Sequence, residues 1–560
     1  MIEHYRIGRR AVDTDLGSLK NFAIANRWLD ECQRIHKCLS DAPRELPTRV
    51  IDVGLSLTEH CTPPRLTLSH GKKDTYVALS HCWGGKITPV LTRDNIEPFQ
   101  LELPYQTLPA NFQDAIKITR NLGIRYLWID SLCILQDSKH DWEVESKRML
   151  WVYRNATLTI SASASKGSTD GILRKHPVPT PELEPAYLRL LADPGRDGLV
   201  KIEVRDEDEE TLRRLESGPL SRRGWTLQES ILGPRQLFYG KYQIFWRCPL
   251  GFQTSDGLPA GPRTHDNDFA TLSTVLYGDR LPAPTLQSID TEQVLIDYYE
   301  LVEQYSHRRL TYASDKLPAF SGLAQGVQKA IGGIYLAGHW HSDFARSLLW
   351  YGDLECKHVQ PYRAPSWSWA VTDEPILYQA KSPPKSKKWM TQLLSHQIIS
   401  KDTDNPYGEI VSGHVEVEGP TKSFIRSNQV IDLTDERFYI GGCRFDDLGP
   451  QEGIHIQRNL YRMVDDNGDD FILSMNTRTG PQKGWDVDPE LFDSETYLAI
   501  LVHVPDSIDG EYAGSDAEGL VVRKIVENEE EQYERVGYFH LNPPKMSWLD
   551  SWTSQKVKLV

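Results

Sequence analysis

The segment Arg222-Arg223-Gly224-Trp225-Thr226-Leu227-Gln228-Glu229 ends in the carboxylate best suited to do chemistry in this chain. A fixed carboxylate stabilises oxocarbenium character on a ribose while holding the ribose hydroxyls, and needs no metal to do so. The bland account of Glu229 is a residue near a helix start, where the helix dipole favours negative charge. Arg222 and Arg223 offer bidentate hydrogen bonds to a pyrophosphate, or ion pairs to Asp130 or Glu229. Trp83 and Trp225 can stack on a planar base, although packing is the commoner use of buried Trp. Ser80-His81-Cys82-Trp83 sets a thiol beside an imidazole. Adjacent residues on an extended segment face opposite ways, so these two do not form a nucleophile–base pair with each other. Asp130 reads either as a ligand contact or as an Asx turn that fixes its loop. Asp141, Glu143 and Glu145, near a helix start, point to capping and dipole compensation rather than a metal site, with Asp141 as the N-cap.

These residues share a kind of place. Tyr76-Val-Ala-Leu-Ser80, Arg125-Tyr-Leu-Trp-Ile-Asp130 and Ala156-Thr-Leu-Thr-Ile-Ser-Ala162 are short apolar or β-branched runs that predict strands. Between them, Phe112, Ala115, Ile116, Thr119 and Leu122 fall at helical spacing with Gly123 as the stop, and Asp141 to Tyr153 predicts a second helix. Strands alternating with helices imply right-handed crossovers and a parallel sheet covered on both faces. Ligands of such sheets bind beyond the carboxyl ends of the strands. That rule selects Ser80, His81, Cys82 and Trp83 after the first strand, Asp130 and Ser131 after the second, and Ser161 and Ser163 after the third. The Trp225–Glu229 turn belongs nearby if a fourth parallel strand follows.

At 560 residues the chain exceeds the roughly 250–300 at which single cores stop growing, so several domains are expected. Residues 1–70 form a lead-in with a helix around Leu19 to Leu39 and Pro-containing loops; 71–250 an α/β domain with an insertion near 175–216; 251–372 a helical extension; 373–560 a β-rich C-terminal region. A Lys-rich linker, Pro383-Pro-Lys-Ser-Lys-Lys388, falls near the start of the last. Ser366-Trp-Ser-Trp369 is expected to be a strand with both Trp packed on one face. The net charge of −15 opposes nucleic acid and anionic membrane surfaces. Eight cysteines are scattered without CxxC spacing, which predicts reduced thiols and no metal. Met1 to Arg10 carries no signal-peptide core and no long apolar run occurs, so a cytoplasmic location is expected.

Several of these segments together resemble the fungal heterokaryon-incompatibility (HET) family: Tyr76 to Gly84, Tyr126-Leu-Trp-Ile-Asp-Ser-Leu-Cys-Ile134, Tyr153-Arg-Asn-Ala-Thr-Leu-Thr-Ile-Ser-Ala162 and Arg223-Gly-Trp-Thr-Leu-Gln-Glu229. Their order and spacing match, and Asp315 to Ala324 and Ala364 to Ala370 look like segments usual after that domain. The resemblance implies programmed cell death on contact between incompatible strains, and names no reaction. The core is more distantly similar to TIR domains, whose catalytic Glu follows a Trp at the spacing of Trp225 and Glu229. That similarity implies a TIR-like, flavodoxin-like parallel sheet flanked by helices. It also implies NAD+ as substrate rather than cofactor, hydrolysed at the nicotinamide–ribose bond, with Glu229 catalytic and Ser80, His81, Cys82, Trp83, Asp130, Ser161, Arg222, Arg223 and Trp225 lining the site. Two alternatives stand beside it: a non-catalytic module that self-associates or binds an upstream receptor, and a different small-molecule isomerase or hydrolase on the same scaffold.

Overall fold

Tyr76-Val-Ala-Leu-Ser80 carries no charge and is buried along its whole length, so it needs paired strands on both edges and cover on both faces. A computed structural model of the chain shows how these are supplied. It describes residues 12–40, 42–55, 62–177, 186–192, 196–202, 218–257, 270–281, 290–352, 357–378, 387–425, 439–445, 460–464, 470–475, 496–505, 517–527, 530–541 and 552–560. The chain divides into two compact units, Met1–Ser288 and Ile289–Val560.

In the first unit, α1 (Leu19–Asp30) precedes β1 (Arg49–Asp52), β2 (Arg65–Leu68) and β3 (Tyr76–Ser80). Then come α2 (Ala110–Asn121), β4 (Tyr126–Trp128), α3 (Lys139–Lys147), α4 (Met149–Asn155) and β5 (Leu158–Ser161). The series ends with α5 (Trp225–Leu232), β6 (Gln236–Tyr239), β7 (Ile244–Cys248) and β8 (Gly251–Thr254). One eight-stranded sheet runs β8-β7-β6-β5-β3-β4-β1-β2.

Its four central strands are parallel, with Val77 opposite Leu127 of β4 and Leu158 of β5, and Leu237 of β6 opposite Ile160. The outer pairs are antiparallel, which corrects the expectation of a wholly parallel sheet. The reason is connection length: β6, β7 and β8 are joined by tight turns, and a tight turn cannot carry the chain back to start a parallel neighbour. On the other edge, β1 and β2 arise where Pro-containing loops are expected, because four-residue strands show too little periodicity to be seen.

Taken in chain order, the parallel strands lie in space as second, first, third, fourth. The chain therefore reverses its direction of travel across the sheet beside β3. Helix α2 buries Phe112, Ala115, Ile116 and Thr119, as its spacing predicts, and Gly123 follows at φ 69, a left-handed conformation that suits glycine. The predicted helix from Asp141 to Tyr153 is two helices, broken at Arg148. Its cap is Ser138, whose hydroxyl accepts the Asp141 N–H at 3.3 Å, and not Asp141. The Asp141 carboxylate instead accepts the Leu135 N–H at 2.8 Å and a guanidinium N–H of buried Arg49 at 3.0 Å. Of the expected insertion, Ala186–Ala192 and Arg196–Ile202 form an antiparallel hairpin ladder. Residues 203–216 lie outside the described residues, as do Met1 to Arg10 and the linker's Pro383 to Ser386.

In the second unit, helices Thr291–Ser306 and Pro318–Ile331 bring Tyr298, Tyr305 and Phe320 together with Trp340 and Trp369 in edge-on contacts. Trp367 and Trp369 are fully buried, but on a turn that enters a short 3-10 helix, Trp369–Val371, rather than on the expected strand. The β-rich C-terminal region includes the long strands Ile410–Ile425 and Thr496–Pro505. These two pair with each other; Thr496–Pro505 pairs on to Ala517–Glu527, then Glu530–Leu541, then Thr553–Leu559, which returns to Ile410–Ile425. Five strands thus close a β-barrel, leaving each of them paired on both sides. No helix among the described residues is long and apolar enough to cross a membrane.

Candidate functional site

Where a doubly wound sheet changes direction, adjacent crossovers leave on opposite faces and open a crevice at the carboxyl ends of the strands. In the first unit that point lies between β3 and β5, so the loop after Ser80 is placed at it by topology alone. His81 is almost wholly buried, packed edge-on against Phe112 of α2 at 5.1 Å. Its Nε2 lies 3.2 Å from the Asp130 carboxylate, and its Nδ1 3.1 Å from the Cys82 carbonyl. Asp130 also accepts the Trp83 indole N–H at 2.7 Å and the Ser131 backbone N–H at 2.7 Å. Burial pushes the Asp130 carboxyl up, but the His81 and Trp83 hydrogen bonds and the charge of Arg223 outweigh it, and it titrates below the usual carboxylate range. With its side chain 27% exposed, Asp130 carries this network to the surface.

Glu229 sits behind it, 7% exposed on α5. Desolvation pushes its carboxyl up to about 7, against the ordinary value of 4.5. The Ser80 hydrogen bond and the charges of Arg223 and His81 resist that rise, and the Asp130 charge adds to it. Tyr153 of α4 hydrogen-bonds Glu229, and its hydroxyl lies 3.3 Å from the Leu79 carbonyl. Burial, reinforced by the two carboxylates, holds that hydroxyl protonated as a donor. Arg223 donates to the His81 carbonyl at 3.1 Å. Two carboxylates with opposed shifts therefore share one arginine and one histidine, the arrangement that separates a proton-holding group from an ionised one at neutral pH.

The loop is fixed by a close approach of backbones. Gly84 has φ 73, and a Cβ there would collide with Gly167 Cα; a Cβ on Gly167 would meet Gly84 Cα at 3.2 Å. The Trp83 carbonyl accepts both the N–H and the hydroxyl of Ser168 at 3.2 Å. The Trp83 indole is thus oriented on Asp130 from two sides.

Of the residues singled out from the sequence, Ser80, His81, Trp83, Asp130, Arg223 and Glu229 come together. Cys82 contributes its carbonyl, while burial pushes its thiol up, away from the thiolate a nucleophile needs. Ser161 turns to the next strand and hydrogen-bonds Gln236 at 3.3 Å. Arg222 is exposed on the turn Leu220–Arg222, and Trp225 packs edge-on against Trp142 at 6.3 Å. Tyr153 is the member that sequence reasoning does not select, because the strand-end rule passes over residues on helices.

A groove of about 960 Å³ opens at the amino end of β3, lined by Arg44, Glu145, Arg148, Trp151 and Asp279 among others. Four of its charged residues pair among themselves, Arg44 with Asp279 at 3.1 Å and Arg148 with Glu145 at 3.6 Å. Cavity volume and poised chemistry thus lie at opposite ends of the central strand, and the chemistry makes the switch point the candidate site. Among the described residues, one group has the geometry to hold a metal ion, Cys32, Cys38 and Cys248, on the β7 side of the sheet.

Neither the curated proteins nor the solved structures contain a match to this chain. Residues 76–229, from the first residue of β3 to the carboxylate of α5, match the family model described as Heterokaryon incompatibility protein (HET).

Proposed function

We propose that this chain, whose residues 76–229 match the heterokaryon incompatibility family model, acts in incompatibility-related cell death by hydrolysing NAD+ at the nicotinamide–ribose bond. The observation that carries this reading is Glu229: a carboxyl buried at the switch point, holding its proton to about 7, beside a second carboxylate that stays ionised. The parallel strands lie in the second, first, third, fourth order of flavodoxin-like folds, the order expected of a TIR-like domain, and such sheets bind nucleotides at this position.

In the reaction, the bond from ribose C1′ to the nicotinamide nitrogen breaks and its electron pair leaves with neutral nicotinamide. Water adds to C1′, its proton is released, and ADP-ribose results. Ionised Glu229 faces the positive charge that develops on the ribose. Asp130, held by buried His81, forms the entrance, Trp83 supplies a flat indole there, and Arg223 supplies charge for the pyrophosphate. Since the ionised form of Glu229 does the work, turnover rises with pH through about 7.

Purified wild-type chain incubated with NAD+ is expected to release nicotinamide and ADP-ribose, read by mass spectrometry. Glu229→Gln is expected to lose on the order of 10²–10³ in rate. NAD+ left intact by wild-type protein, even when clustered or strongly overexpressed, would sink the proposal.

One observation favours a second reading, a signalling module without catalysis: the polar atoms of Asp130 and Glu229 already find partners within the cluster. On that reading Glu229→Gln keeps its death-inducing activity in cells, whereas hydrolysis requires that it be lost.

A further inference from the structure

We propose that Cys32, Cys38, Cys248 and His36 bind a structural zinc ion that ties the end of α1 to strand β7. The three sulfurs are buried and lie within 4.8 Å of one another. Cys32 and Cys38 are 3.0 Å apart, well beyond a disulfide bond of about 2.05 Å. His36 Nδ1 lies 3.7 Å from Cys248 Sγ. A tetrahedral zinc with sulfur ligands at about 2.3 Å sets neighbouring donors roughly 3.7 Å apart, so small movements bring the three sulfurs onto one ion, and His36, already at that distance from Cys248, swings in from the Cys248 side to complete the set. Three cysteines and a histidine make a closed structural zinc set, and soft thiolates select zinc over the harder cations.

The local backbone is shaped for convergence. After α1 the helix widens into one π-type turn, Glu31–His36, which carries Cys32 and His36. Lys37 then adopts φ 46, its N–H returns to the Cys32 carbonyl at 3.0 Å, and the reversal sets Cys38 beside Cys32. The fourth donor comes from 212 positions away. Cys248 ends β7 on the turn Cys248-Pro249-Leu250-Gly251, where the Leu250 N–H donates back to its sulfur. Such an N–H to sulfur bond orients a metal-bound thiolate and withdraws part of its charge.

Arg235 supplies the charge argument. It is fully buried, and its Nε donates to Cys32 Sγ at 3.2 Å. A guanidinium at a sulfur favours the thiolate. Three thiolates, a neutral imidazole and Zn²⁺ sum to one negative charge, which Arg235 neutralises.

The test uses the full chain, purified reduced and without chelator, with metals measured by inductively coupled plasma mass spectrometry. About one zinc per chain is expected, with at least a roughly tenfold loss in Cys38→Ser and Cys248→Ser. Protein loaded with cobalt is expected to show thiolate-to-metal charge-transfer absorption and the visible bands of a tetrahedral ion. Should the variants fail to fold, the zinc content and cobalt spectrum of the wild type decide alone. The proposal is overturned if wild-type chain offered excess Zn²⁺ retains less than roughly a tenth of an equivalent, or if peptide mass spectrometry finds Cys32 and Cys38 joined as a disulfide.

Discussion

At the carboxyl end of β3, unlike groups are set against each other: Asp130 is held ionised, and Glu229 keeps its proton towards neutrality. At the end of β7, like groups converge, with three thiols around one point and a guanidinium beside them. Both clusters are buried polar sites in one unit, and their internal logic separates them. Opposed proton affinities prepare a site to change charge with its surroundings. Converging soft donors prepare a site to hold one ion and change nothing. The first cluster reaches the surface through Asp130, as a site meeting a ligand must. The thiols of the second are all buried.

The largest effect that separates the two is the pH dependence of stability at Glu229. Its folded carboxyl holds a proton up to about 7, against an ordinary value of 4.5, so the folded state binds more protons across that window. Stability therefore falls as pH rises from about 4.5 to 7, by up to about 3 kcal/mol. Glu229→Gln is expected to flatten this slope and to be the more stable protein at pH 8, as urea unfolding of both chains at pH 5 and pH 8 would measure. A wild-type slope of the opposite sign would mean that Glu229 is ionised and paired in the fold, and the contrast with the thiol cluster would fail.

A smaller effect is expected at Gly84, where an added methyl meets the backbone of Gly167 and the left-handed φ strains any L side chain. Gly84→Ala is expected to cost roughly 1–3 kcal/mol and to turn Trp83 off Asp130. Thermal unfolding reads the first and indole fluorescence the second. The smallest effect belongs to Cys82, which lies within the segment that matches the family model and gives the cluster its carbonyl and a thiol, hydrogen-bonded to Arg223, that burial pushes up. Cys82→Ser is expected to keep NAD+ turnover within about threefold, since no thiolate is formed there. Loss of turnover in that variant would return the site to thiol chemistry.

Much of the first site was legible because strand-end residues are chosen by topology. Once Tyr76–Ser80, Tyr126–Trp128 and Leu158–Ser161 are read as successive parallel strands, Ser80, His81 and Asp130 must lie at one end. Arg223 and Glu229 follow from the next crossover. The same rule over-selects: Ser161 belongs to the right end but turns its hydroxyl to Gln236. It also under-selects, since Tyr153 reaches the cluster from a helix whose pattern announces only a packing face. The antiparallel edges were not legible, because β1 and β2 are four-residue strands among prolines, and β7 and β8 show strand character without direction.

By itself the sequence determined which segments are strands and helices around the switch point, the match of residues 76–229 to a family model, and the set of residues from which the candidate site is drawn, since periodicity and spacing are local properties. Tertiary structure decided protonation and convergence. Glu229 is written identically whether it is solvated or buried, and only the packing of the fold around it removes the water that would ionise it. Cys248 shows no spacing to Cys32 that a sequence rule could use, because their proximity is created by folding α1 against the far edge of the sheet.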